Sequence, residues 1–505
     1  MKKKFTFISV NNIVTIYVIA ILTGMLLIYQ DFYFNILETK FTYYCICTIL
    51  MLLLIGGYWL LTGQFTASFK HLSPVDISVI LWGICILLST ILSPAKELAF
   101  WGKDDYTGRY TGCFLLMLYI AAYFCITRYY KASERHMFFF LAASILMCFL
   151  GITDFFDMDL LHFKEELNEI QRYIFTSTIG NINTYTSCVA MSMAVFGVLF
   201  ASAPNPQKMY LYGVGVFVTY IALILGDSDN AYLSLAAFFC FLPFYIFRFK
   251  GGITRYLVLV AEFFTAAKGI SFVQSIMAQQ VVPIHGLFRI IAEYKYLTAI
   301  IFVLWAIVFA VCWAEYKTDV ITGKSRTLLM VWGVLFLLVC GIIACAIYDV
   351  NVLGNGERYG RIKEYLLFND DWGTHRAYIW RIALEDYRKF PLMQKIFGYG
   401  PDTFGIITMT NNYPEMVERY SEIFDSVHNE YLQYFITIGP MGLLSYLAIH
   451  VTLVIQILKR KINNPLAVAG LLAVLCYAAQ AAVNINQPIA APVMWTLLSV
   501  SASIS

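Results

Sequence analysis

Apolar runs of roughly 17 to 22 residues recur along the whole chain, each long enough to cross a hydrocarbon layer of about 30 Å as a helix. In lipid every backbone N–H and C=O must find an internal partner, so a chain built of such runs can fold only as a bundle of helices. About fourteen are expected, centred near Ile21, Leu52, Ile86, Leu118, Ser144, Met193, Thr219, Ala237, Phe263, Val308, Leu337, Leu447, Leu475 and Leu498. The segment around Phe263 carries Glu262 and Lys268, which could mark a polar break. Composition agrees: 60% of residues are hydrophobic and 13% charged, where a soluble domain would carry about a quarter. The fold class expected is therefore all-α and polytopic, a single membrane domain over residues 1–505 with one large insertion at 349–428.

Short loops rich in Lys and Arg tend to stay cytoplasmic. Lys2 to Lys4, Lys70, Arg128, Lys131, Arg135, Lys208, Arg248, Lys250, Arg255, Lys317, Lys324, Arg326 and Lys459 to Lys461 alternate so that all fall on one side. Both termini are then cytoplasmic. The other side receives 94–110, 154–183, 226–230, 282–296 and the large loop 349–428. A formal charge of +3 is too small to imply a nucleic-acid partner. Residues 1–30 combine a basic start with an apolar stretch and no small-residue cleavage site, the pattern of a retained signal anchor. All twelve Cys lie within apolar runs, so no disulfide framework or CxxC zinc site is expected.

Two non-cytoplasmic segments have helical patterning. In 157–173, Leu160, Leu161, Phe163, Leu167 and Ile170 alternate with acidic residues and Lys164, as in a helix lying at the interface. The second spans 375–390, with Thr374 as its cap and Ala377, Trp380, Ala383, Leu384 and Tyr387 on one apolar face. Arg376 falls in the middle of that face, where a guanidinium needs either an ion-pair partner or an anionic ligand. Downstream, Phe397-Gly-Tyr-Gly-Pro-Asp402-Thr-Phe404 reads as a turn followed by a short helix capped by Asp402. Asp425 or Ser426 would then cap the next helix and place His428 in its first turn, where the helix dipole disfavours protonation.

Arg376-Ala-Tyr-Ile-Trp380-Arg381, Gly398-Tyr-Gly400-Pro401 and His428-Asn429-Glu430-Tyr431-Leu432, followed by Gly439 and Gly442, resemble motifs of the O-antigen ligase and polymerase superfamily. Gly108-Arg109-Tyr110-Thr111-Gly112 and Gly180-Asn181-Ile182-Asn183 resemble its earlier loop motifs, so that the resemblance covers roughly residues 100 to 505. It implies a glycosyltransferase-C-like membrane fold and glycan transfer on the outer face of a bacterial cytoplasmic membrane. The donor would be a polyprenyl-diphosphate-linked glycan and the acceptor a hydroxyl on a glycan, lipid or protein, with membrane lipid around the chain and no cofactor. By similarity His428 would activate or position the acceptor and Arg376 would bind the diphosphate; Arg381, Arg109, Arg172, Asn429, Tyr431 and Trp380 would contact substrate.

One departure stands out: the family's ligases carry an arginine at the end of a middle helix, and the matching stretch here, Gly226-Asp227-Ser228-Asp229-Asn230-Ala231-Tyr232, has none. Another cation could substitute there, or Asp227 and Asp229 could bind a metal. A lipid-linked oligosaccharide flippase is the alternative class, but it would be expected to line a path with charges inside its helices.

Overall fold

The computed structural model describes residues 9–63, 71–103, 108–317 and 325–504. Each of the fourteen apolar runs is a helix. Ten are long and apolar enough to span a membrane, and Cys113–Tyr129, Asn230–Ile246, Pro465–Ala481 and Ala491–Ser503 are shorter apolar helices. The protein is thus an all-α, multi-pass membrane protein. The segment bearing Glu262 and Lys268 is one unbroken helix, Gly252–Ile276, not a polar break.

Ile182–Ala201 sits at the centre, buried along nearly its whole length. It is apolar on every side, and its small residues let neighbouring backbones approach, the mode of packing open to helices that gain nothing from hiding apolar surface from lipid. Ser192 bonds Ser144 across one contact (2.8 Å), and Gln480 reaches Ser187 across another. Leu297–Lys317 and Thr327–Asn351 lie at the periphery with their apolar side chains largely exposed.

The loops assigned to one side by charge do meet at one end of the bundle. His285 bonds Asp227, Tyr365 reaches Asp229, Ser228 bonds Asn183, and Arg109 joins Asp402. At the opposite end Arg128 pairs with Asp76 (2.8 Å), Lys208 with Glu134, and Thr254 bonds Glu315. Lys2 to Lys4, Lys70 and Lys324 lie outside the described residues, as does the side chain of Arg326.

The stretch between the Thr327–Asn351 and Gly439–Lys461 helices builds a second, smaller core. Tyr378, Ile379, Ile382, Ala383 and Phe390 pack against Phe404, Ile407, Met416, Phe424, Val427 and Ile436. Burying each of the larger side chains is worth about 1.5–3 kcal/mol. The helix runs Trp372–Lys389, and its buried stripe is rotated from the one expected: Tyr378, Ile379 and Ile382 face inward while Leu384 is exposed. Trp380 and Tyr387 remain only at the edge of this core. Nor does Thr374 cap the helix. Gly373, Thr374 and His375 all have positive φ, so the regular helix starts only at Arg376.

The amphipathic helix expected over 157–173 shrinks to Glu169–Ile174. Asp159 explains the difference, because its carboxylate accepts from the backbone N–H groups of Phe163 and Lys164 (2.9 and 2.8 Å) and holds them in a turn. Phe163 and Leu167 are still buried, against Tyr33.

The Gly398–Pro401 turn fastens the smaller core to the bundle. Tyr399 and Gly400 donate their N–H groups to Ile436 and Thr437 carbonyls (3.0 and 2.9 Å), while the Ser93 hydroxyl donates to the Tyr399 carbonyl (2.7 Å). Gly398 (φ 81°) and Gly400 (φ 119°) are required here: a Cβ on the first would overlap the Thr437 backbone and on the second Ser93. Gly400→Ala is expected to cost about 1–3 kcal/mol and to lower the thermal midpoint of the detergent-purified protein; an unchanged midpoint would mean the turn is not under this constraint.

Candidate active site

His428 lies just before the Glu430–Thr437 helix, not in its first turn. The cap is Asn429, whose side chain accepts from the N–H groups of Tyr431 and Leu432 (3.1 and 3.0 Å), so neither Asp425 nor Ser426 fills that role. His428 itself is in the left-handed region (φ 51°), a conformation that costs a non-glycine residue of order 1–3 kcal/mol and persists only when the surroundings over-determine it. They do. The Trp380 indole donates to the Val427 carbonyl (3.0 Å), the Val427 N–H donates to the Gln433 side chain (3.0 Å), and Asn429 holds the following turn. Glu430, buried, anchors the helix start by accepting from Tyr446, Tyr477 and Asn486 (2.6, 2.9 and 3.2 Å). The half-buried imidazole of His428 has no hydrogen-bond partner among the described residues.

Arg376 begins the regular part of its helix and points toward the turn at the end of the Pro206–Leu225 helix. Its Nη1 donates to the Gly373 carbonyl (2.6 Å) and its Nη2 makes a long contact to Asn230 Oδ1 (3.5 Å). The Nε and the Asn230 Nδ2 are buried without partners. No carboxylate forms an ion pair with Arg376 among the described residues, although the Asp229 charge is near enough to act on it. A half-buried guanidinium left this far from satisfied is a poor structural element and a ready anion receptor.

Electrostatics tie the two residues together. Burial, and then the charges of Arg376 and Arg109, push the His428 imidazole down to about 3 from its ordinary value, so it is neutral and free to accept a proton or hydrogen bond. The Arg109 guanidinium is itself held by Asp425 (2.6 Å), and its backbone N–H, with that of Thr111, donates to Asp402 Oδ2 (2.7 and 2.9 Å). Asp402 therefore does not cap the Phe404–Asn411 helix as expected; it caps the Gly108–Gly112 turn from across the fold. Burial pushes its carboxyl up to about 6 against the pull of those donors. Arg109, Thr111, Pro401, Asp402, Ser426 and Asn486 help line a small cavity here.

The other candidates have different surroundings. Arg381 is engaged by Asp370, Glu385 and Glu415 (3.1, 3.3 and 3.4 Å), an acidic ring that leaves it little charge to offer a ligand. Arg172 lines a separate cavity with Asp227 and His285, one that neither Arg376 nor His428 lines. Tyr431 donates its hydroxyl to the Ala478 carbonyl (2.6 Å), Asn429 is spent on capping, and Trp380 orients the loop carrying His428. Asp227 bonds His285 and Asp229 bonds Tyr365, and no cluster of three metal-ligating side chains occurs among the described residues. Sequence reasoning missed Asn230 and Gln433 as site residues. Asn230 lay inside the motif stretch that lacks the family's arginine; nothing in the sequence marked Gln433.

Residues 214–447 match the family model described as O-Antigen ligase. The match takes in Asp227–Asn230, Arg376 and His428, and stops short of Arg109, Arg172 and the two earlier loop motifs. No curated protein matches the chain. With this match over residues 214–447, its helical membrane architecture and its motif order, the chain is similar to the O-antigen ligase superfamily of membrane glycan-transfer proteins, which draw on a lipid-linked glycan donor and a glycan acceptor.

Proposed function

We propose that the protein transfers or polymerises a glycan from a polyprenyl-diphosphate carrier onto an acceptor hydroxyl, at the outer face of the cytoplasmic membrane. The observation that carries this reading is the half-buried guanidinium of Arg376, which has no ion-pair partner among the described residues, acting on the neutral imidazole of His428. The acceptor oxygen attacks the anomeric carbon of the donor sugar as its proton passes to His428, whose basicity recovers once the donor's diphosphate offsets the charge of Arg376. The bond between that carbon and the diphosphate oxygen breaks, and the electron pair leaves with the lipid diphosphate. Arg376 binds the departing anion, where an immobile cation in a site shielded from water acts more strongly than one in bulk solvent. Arg109, held by Asp425, contributes positive potential near the imidazole. The outer-face assignment rests on the alternation of basic loops, which puts the end bearing His428 away from the cytoplasm.

In vesicles supplied with lipid-linked glycan and acceptor, His428→Ala is expected to lower turnover by about 10²–10⁴-fold and Arg376→Ala by about 10²–10³-fold, with insertion and thermal midpoint near those of the native protein. Transfer at the native rate by purified His428→Ala would overturn the assignment. Movement of the glycan across the bilayer with no new glycosidic bond would favour a transporter instead.

The depressed imidazole gives an independent check. In a histidine NMR titration, with the His428 signal identified by its absence from His428→Ala, the ring is expected to stay neutral as pH falls from 8 to about 5, because both cations oppose its protonation. Protonation near the ordinary midpoint of about 6.5 would contradict the electrostatic account.

A further inference from the structure

The turn without the expected arginine is built around a contact between Asp227 and His285. Asp227, with a strained backbone (φ 45°), grips His285 twice: Oδ1 accepts the His285 backbone N–H (2.8 Å) and Oδ2 faces Nδ1 (2.7 Å). A carboxylate on Nδ1 fixes the proton there and leaves Nε2 as a hydrogen-bond acceptor. The ring is 62% exposed, so this acceptor is presented rather than buried. His285 and Asp227 form one wall of a shallow cavity, open to solvent, whose other walls include Lys164, Arg172, Tyr173 and Phe155.

The charges in this cavity are unequally spent. Asp154 faces Lys164 (3.8 Å) and accepts from Thr176 and Ser177 (2.9 and 2.7 Å), which fixes the hairpin of residues 175–181. Arg172 donates its Nε to the Lys164 carbonyl (3.1 Å), and no carboxylate pairs with its guanidinium among the described residues. One immobilised acceptor, one planar multiple donor and an exposed tyrosine form a set suited to a pyranose, which offers hydroxyls at its edge and C–H groups on its face. The location fits as well: Asp227 lies three residues from Asn230, the residue that touches Arg376.

We infer that the cavity lined by Asp227, His285 and Arg172 is a saccharide subsite. It holds a sugar unit of the glycan substrate other than the one that reacts, with a sugar hydroxyl donating to His285 Nε2 and a second sugar oxygen accepting from Arg172. This rests on the glycan-transfer reading above for its ligand class. It gives the sequence departure at residues 226–232 a recognition role in place of a diphosphate contact.

The test is equilibrium dialysis of the full-length, detergent-purified protein against oligosaccharides released by mild acid from the total polyprenyl lipids of the source cells. Native protein is expected to retain a glycan. His285→Ala and Asp227→Asn are expected to bind it at least tenfold more weakly, with unchanged thermal midpoints. Arg172→Ala, an exposed change that leaves the Asp227–His285 contact in place, is expected to weaken binding at least threefold. Equal binding by all three variants, or none by the native protein, overturns the subsite. His428→Ala is expected to keep full binding while losing transfer. If it instead transfers normally, the catalytic reading fails while the binding result still judges the subsite.

Discussion

A buried carboxylate joins the two halves of this molecule. Asp402 accepts the backbone N–H groups of Arg109 and Thr111 from a turn nearly three hundred residues earlier in the chain. The Arg109 side chain returns the link by binding Asp425. Between these two anchors lies the pair of short helices whose apolar residues fill the smaller core, and immediately beyond the second stands His428. Without this clasp the smaller core would be tethered to the bundle chiefly through the Gly398–Pro401 turn and the Glu430 anchor, and the imidazole would lose one of the cations that keep it neutral.

The site is organised by what its groups lack. A buried arginine is normally matched by a carboxylate, since the desolvation of an unpaired charge is expensive. Half-buried Arg376 has, among the described residues, only a carbonyl, a long amide contact and the field of a nearby aspartate. His428 sits in a strained conformation enforced by Trp380, Gln433 and Asn429, which fix its backbone while leaving its ring unbonded. Strain and missing partners cost stability, and here both occur where a ligand could supply what is absent.

The helices were legible because a twenty-residue apolar run has one stable outcome in lipid, and even the segment with Glu262 and Lys268 followed it. The shorter elements were not, for identifiable reasons. Asp159 diverted the 157–173 pattern into a turn by taking two backbone donors for itself. The inward face of Trp372–Lys389 was set by partners between Phe404 and Ile436, so periodicity gave the helix but not its rotation. Asp402 and Asp425 looked like local caps, as such residues before helices usually are; their true partners are remote in sequence and beyond any local pattern. Arg376 and His428 were singled out through motif resemblance, whereas Arg381, which fitted the same motif, is enclosed by three carboxylates.

The central claim is that half-buried Arg376 lacks an ion-pair partner among the described residues because its anion is the substrate's diphosphate. Binding of glycan-free polyprenyl diphosphate to the purified protein measures this directly, apart from any transfer chemistry. The account predicts that Arg376→Ala weakens this binding at least tenfold while His428→Ala leaves it nearly intact. Equal affinity in the native and Arg376→Ala proteins would contradict it.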